Sequence, residues 1–209
     1  MSDNTLIELF TARAEAVSAV VKRMPSMKEA TDYVINLCGE KEACQLLISG
    51  CGEPLSEKAE DLCEVKQDKI VAGPNLSKKH YNALAKACEQ NGFVCKSEGL
   101  RENLAGIDIG FTVCQGAIAE TGSIVLDSDK EDTRLATMIA EIHVAAVPVD
   151  AIVQDYYAEE ELLAKLIGGK TPSYTAFITG ASRTADIERV LALGVHGPLE
   201  LHVLLLDEV

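Results

Sequence analysis

Apolar residues recur at helical spacing through the first forty positions. Leu6, Phe10, Val17, Val20, Val21 and Met24 fall near one stripe, so the spacing predicts a helix over residues 5–24 that ends at Pro25. Ser26 with Glu29 three positions on forms a capping box, and Ala30, Tyr33, Val34, Leu37 and Cys38 continue a second helix up to Gly39. Two helices ahead of any strand predict an N-terminal helical hairpin, residues 1–40, packed on or beside a domain spanning 41–209.

From Cys44 the rhythm alternates. Gln45–Ser49, Lys69–Ala72 and Phe93–Lys96 read as short strands. Between them Leu55, Ala59, Leu62 and Cys63 mark one helix, and Tyr81, Leu84, Ala85 and Cys88 mark another over Ser77–Asn91. Strand-like segments follow at 107–118 and 123–127, joined at Glu120-Thr121-Gly122. Then come a helix over Thr133–Ala140, a strand over Ile142–Val147, a helix over Glu159–Ile167 and a strand over Tyr174–Thr179. A helix over Thr184–Leu193 and a strand over Leu199–Leu206 complete the chain. The fold class is therefore α/β, a largely parallel sheet with flanking helices and right-handed crossovers.

Composition narrows the function. A length of 209 residues suits one substantial core, and 19 basic against 33 acidic residues give a net charge of −14. That balance argues against nucleic acid, whose phosphates need a basic face. The acidic, polar opening and the lack of a long apolar run predict a cytoplasmic protein with no membrane span. The seven cysteines are odd in number and show no C-x-x-C spacing, so they read as reduced, mostly buried thiols. Cys51, between Gly50 and Gly52, has the one reactive setting among them, although a small residue in a glycine turn explains it more simply. No dinucleotide, Walker or paired-histidine motif accompanies them, so no metal and no redox cofactor is expected on this chain.

Ligands of open α/β sheets bind beyond the carboxyl ends of strands, and Ser49–Glu53, Glu120–Ser123 and Thr179–Thr184 are the loops expected there. Glu120 is a carboxylate after a nearly continuous apolar run. Thr121 and Ser123 add hydroxyls, and Gly122 lets backbone amides approach an anion; a tight capped turn accounts for the same residues. Ser182-Arg183-Thr184 is expected to open a helix. There Arg183 either clamps an anion, with Thr184 at its side, or pairs with Asp186 or Glu188 while Thr184 caps. His196, in a Gly-His-Gly-Pro turn, is placed to aim its ring at a neighbour or ligand, and either it or Glu120 would handle protons, whereas His143 and His202 read as structural and His80 as solvated.

These phrases carry a resemblance. Ala119-Glu120-Thr121-Gly122-Ser123 with the following Ile-Val-Leu resembles the lactate-utilization (LUD) domain family, in its protein C (LutC/YkgG) group. So do Arg134, Ile142-His143-Val144, Ser182 to Glu188, and Gly194-Val195-His196-Gly197-Pro198. The match is strongest over 107–206. It implies a fold similar to the NagB/RpiA/CoA-transferase superfamily. It also implies a non-redox subunit or accessory factor in bacterial oxidation of L-lactate to pyruvate, binding a small anionic ligand. Iron–sulfur lactate-utilization subunits, as partners, would carry the clusters. Ala119-Glu120-Thr121-Gly122 is also similar to the Ser-Glu-Asn-Gly phrase of some CoA transferases, which implies an acyl-carrying or carboxylate-orienting role for Glu120. The alternatives are a stand-alone enzyme acting on a CoA thioester or sugar phosphate, and an assembly factor without a ligand.

Overall fold

A computed structural model describes residues 3–43, 68–103, 106–168, 173–185, 191–193 and 197–208. Its frame is a parallel sheet of six strands: β1 (Ala19–Ser26), β2 (Ile70–Ala72), β3 (Val94–Lys96), β4 (Ile107–Val113), β7 (Ala140–Pro148) and β12 (Glu200–Glu208). Their order is β1-β12-β7-β4-β2-β3. A second sheet comprises β5 (Gly116–Ile118), β6 (Ser123–Asp127), β8 (Ile152–Val153) and β9 (Thr175–Ile178), in the order β8-β5-β6-β9. Here β5 runs antiparallel to β6 and parallel to β8, and β9 runs antiparallel to β6.

Side-chain alternation along the central strands sorts the core into two faces. Ile142, Val144, Ala146, Leu204 and Leu206 meet the helices α2 (Met27–Glu40) and α3 (Lys78–Gln90) through Val34, Cys38, Leu84 and Cys88. Ala145, Val147, Leu201, Val203 and Leu205 face the other way, against the second sheet and against Phe10 and Ala14 of α1 (Asp3–Ala16). Covered on both faces, β12 reads as a continuous apolar run from Val203 to Leu206. The helix α4 (Glu131–Met138) lies on β4 at Gly110, where a Cβ would come within 2.8 Å of the Ala136 carbonyl carbon. A last helix, α5 (Glu160–Ile167), precedes β9. No helix among the described residues is long and apolar enough to cross a membrane.

Three expectations are corrected. The helix expected over 5–24 ends at Ala16, where Ser18 adopts φ 65° and its amide donates to the Glu15 carbonyl. Ala19–Ser26 then pairs with β12, so a strand of the main sheet separates α1 from α2 in place of a helical hairpin. As an edge strand β1 tolerates Pro25, and its 3–4 spacing of valines and Met24 satisfies either element. The segment 107–118 divides between β4 and β5, which belong to different sheets. Finally, the helix expected over 184–193 is replaced at both ends by strands. β10 (Arg183–Ala185) pairs antiparallel with β11 (Leu191–Leu193), so the ladder rather than local periodicity satisfies the backbone there. The strand and helix expected over 45–63 lie outside the described residues, as does Cys51.

Candidate functional site

The turn between β5 and β6 is held from both sides. Beyond β5, the Ala119 and Glu120 amides donate to the Val153 and Gln154 carbonyls at 2.8 and 3.0 Å, which prolongs the pairing with β8 and leaves the Glu120 side chain exposed. Gly122 has φ 65°, and a Cβ there would fall 2.6 Å from the Arg13 carbonyl carbon and 2.8 Å from the Ala14 Cα. The turn therefore lies flush on the last turn of α1. Only glycine combines that backbone conformation with that approach.

A short chain of hydroxyls leads inward from this turn. Thr121 Oγ1 and Ser123 Oγ lie 2.7 Å apart, and Ser123 Oγ and Thr179 Oγ1 lie 2.6 Å apart. Thr121 is exposed and Ser123 is buried. Next along the chain Gly180 (φ 77°) rests on Val17, so the second turn grips the same helix end. The Ser182 amide then donates to the Pro198 carbonyl at 3.1 Å, with Gly197 packed on the Ser182 side chain. Three phrases far apart in sequence are thus gathered in one place. That place is the amino edge of the main sheet, not the carboxyl edge. It abuts residues 13–17 just before β1 and Pro198 just before β12, and the Leu199 amide bonds the Glu141 carbonyl at the start of β7. Arg183 and Thr184 come next as the first residues of the strand β10, so they do not open a helix. His196 lies outside the described residues.

Two side-chain networks on this same edge carry little sequence signal. Glu200 Oε2 accepts from His202 Nε2 at 2.7 Å, and the other ring nitrogen, Nδ1, lies 2.7 Å from the Tyr33 hydroxyl. Lys22 Nζ sits 4.7 Å from the centre of the Tyr33 ring. Burial, then the negative charges of Glu200 and Glu40, hold the Tyr33 phenol above its ordinary range, which keeps it a donor. The Glu200/His202 pair is visible as an i, i+2 repeat on one strand face. Tyr33, on α2, could not be matched to it by spacing. In the second network Lys41 Nζ bonds Asp108 Oδ1 at 2.8 Å and Glu141 Oε2 at 3.1 Å, while Asp108 Oδ2 accepts from the Ile70 amide at 2.7 Å. Burial works against the Lys41 ammonium, but Asp108 and Glu141 outweigh it and raise its pKa.

His143 is structural and titrates accordingly. It is buried on β7, with Nε2 at 2.8 Å from Thr112 Oγ1, and burial pushes its pKa down to about 4 from 6.5. The unfolded chain therefore takes up a proton between those values that the folded chain refuses. Stability is full above about pH 6.5 and falls as the pH drops towards 4, by about 3 kcal/mol from this residue alone. Urea denaturation at pH 7 and pH 4.5 should show a shallower loss in His143→Gln than in the wild type; parallel losses would refute the assignment. Burial also pushes the Cys114 thiol up to about 12, which leaves it inert.

The LUD domain family model matches residues 7–206. The chain belongs to the LUD domain family. Over 103 residues it is 33% identical to lactate utilization protein C of Bacillus subtilis, covering 48% of this chain and 43% of that protein. Against lactate utilization protein B of Shouchella clausii it is 25% identical over 224 residues, covering 95% of this chain and 44% of that protein. The chain thus spans less than half the length of these relatives. A DUF162 family protein from Deinococcus radiodurans shares the fold of this LUD domain, with a TM-score of 0.60, 16% identity and 99% of both chains covered.

Proposed function

We infer that this LUD domain serves lactate utilization as a non-redox subunit or accessory factor, and that it binds a small anionic ligand beside Glu120. The family match over 7–206, with relatives named lactate utilization proteins C and B, supports the pathway. The hydroxyl chain Thr121–Ser123–Thr179, ending next to the exposed Glu120, supports the site, and it is the observation that carries the reading. Hydroxyls that share protons in series can turn a donor towards a carboxylate at no cost in buried charge. Glu120 then exchanges a proton with the ligand or orients it, and Arg183, next to Ser182, supplies the countercharge. Lactate oxidation also needs an electron acceptor. In this reading it is an iron–sulfur cluster carried by a partner subunit.

The test is anaerobic affinity purification of the tagged chain from its native cells. Iron content and lactate-dependent dye reduction are then measured on the eluate and on the isolated chain. Iron and activity confined to the eluate are the expected result, and Glu120→Gln is expected to lower that activity about a hundredfold. A complex whose activity survives Glu120→Gln removes Glu120 from the chemistry. An eluate without iron, partner or activity overturns the subunit reading and favours a stand-alone enzyme for CoA thioesters or sugar phosphates.

A further inference from the structure

A cavity of about 330 Å³ opens in the segment that follows β8, lined by Tyr156, Tyr157, Glu160, Leu163 and Ala164. Tyr157 is 87% exposed and Tyr156 55%, and Phe177 of β9, with its ring centre 5.7 Å from that of Tyr156, is 41% exposed. Aromatic side chains seldom stand so far out of a fold in which they amount to 4% of the residues. Their backbone is fixed in advance: Asp155 Oδ1 accepts from both the Tyr157 and Ala158 amides at 3.0 Å. Leu163 and Ala164 give the cavity an apolar floor, and Glu160 puts a carboxylate on its wall.

Two tyrosine rings, an acidic wall and an apolar floor match one kind of guest. A guanidinium or ammonium is attracted to ring faces, its aliphatic stem packs on apolar surface, and its charge is met by a carboxylate. We propose that this pocket is a docking site for a basic side chain, arginine above all, presented by a segment of a partner protein. Charge complementarity favours a protein over a free amine. The chain carries −14 overall, and Asp155 and Glu160 flank the two tyrosines, so a segment with more than one basic residue gains at both. The pre-set backbone at Asp155 lowers the ordering cost of the encounter. No residue lining the pocket is one of Glu120, Thr121, Ser123 and Thr179, so variants of the pocket test this docking separately from the proposed lactate role.

The experiment is an NMR titration of the full chain, with tyrosine rings isotope-labelled, by a capped Gly-Ser peptide whose one charged residue is a central arginine. The Tyr156 and Tyr157 signals are expected to shift and saturate, while the same peptide with norleucine in place of arginine leaves them still. Tyr157→Ala removes a side chain that supports little of the fold, and it is expected to weaken arginine-peptide binding about fivefold. Glu160→Gln is expected to weaken it by a similar factor. Equal binding of the norleucine peptide, or unchanged binding in both variants, overturns the proposal. So does tighter binding of tetramethylammonium or choline than of the arginine peptide, since the pocket would then be a site for small quaternary amines.

Discussion

Gly122→Ala is expected to destabilise the protein by about 3 kcal/mol and to release the end of α1. About 1 kcal/mol or more comes from placing a Cβ on a left-handed backbone, and the rest from overpacking against the Arg13 and Ala14 main chain, which cannot swing aside as a side-chain tip would. Gly92→Ala is the matching control. Gly92 has φ 72°, but nothing lies within 4 Å of its would-be Cβ, so only the backbone cost of about 1 kcal/mol applies. Urea denaturation of both variants separates the two causes, and hydrogen exchange locates the damage. If the two variants lose equal stability, the turn is not clamped on α1. The prediction bears on function, because the residue that places Glu120 and Thr121 is then held by a helix outside the turn's own sheet.

Lys41→Met is expected to cost about 3–5 kcal/mol, the range for removing one partner of a buried ion pair. Asp108 has no exposed side-chain surface and Lys41 retains only 12%, so water cannot replace the lost ammonium. The Ile70 amide still donates to Asp108, but a neutral donor does not balance a buried charge as the ammonium does. The double variant Lys41→Met/Asp108→Asn removes both charges while an amide oxygen still serves Ile70, and most of the lost stability is expected to return. A loss below about 1 kcal/mol in the single variant would place this pair with weak surface ion pairs. Failure of the double variant to recover would show that Lys41 acts through Glu141 or through packing.

The alternation that announces a parallel sheet was legible because strands buried on both faces must be apolar throughout. Ile70–Ala72, Ala140–Pro148 and Glu200–Glu208 stand within two residues of their expected bounds. The Ser26 cap on α2 was legible for a different reason: its Oγ accepts from the Lys28 amide and bonds Glu29, contacts made within three residues. Val17 to Met24 misled because spacings of three and four suit a helix stripe and an edge strand alike, and only pairing with Val203 to Leu206 across the fold chooses between them. Thr184–Ala185 and Leu191–Leu193, the two described ends of an expected helix, misled in the same way.

The site divides along the same line. Glu120-Thr121-Gly122-Ser123 was recognisable as a unit of chemistry because the residue types and their order sit within four positions. That Gly122 presses on α1, that Ser123 reaches Thr179, and that the whole lies at the amino edge of the main sheet depend on contacts between segments some 50 to 110 residues apart. Tyr33 and His202 are separated by 169 positions, and no spacing rule could have joined them. Local order follows from hydrogen bonds and periodicities closed within a turn or a strand, and these are written along the chain. Which strand completes a ladder, which helix end a glycine turn may touch and which carboxylate a buried lysine meets are chosen by packing, because those groups become neighbours only once the core is formed.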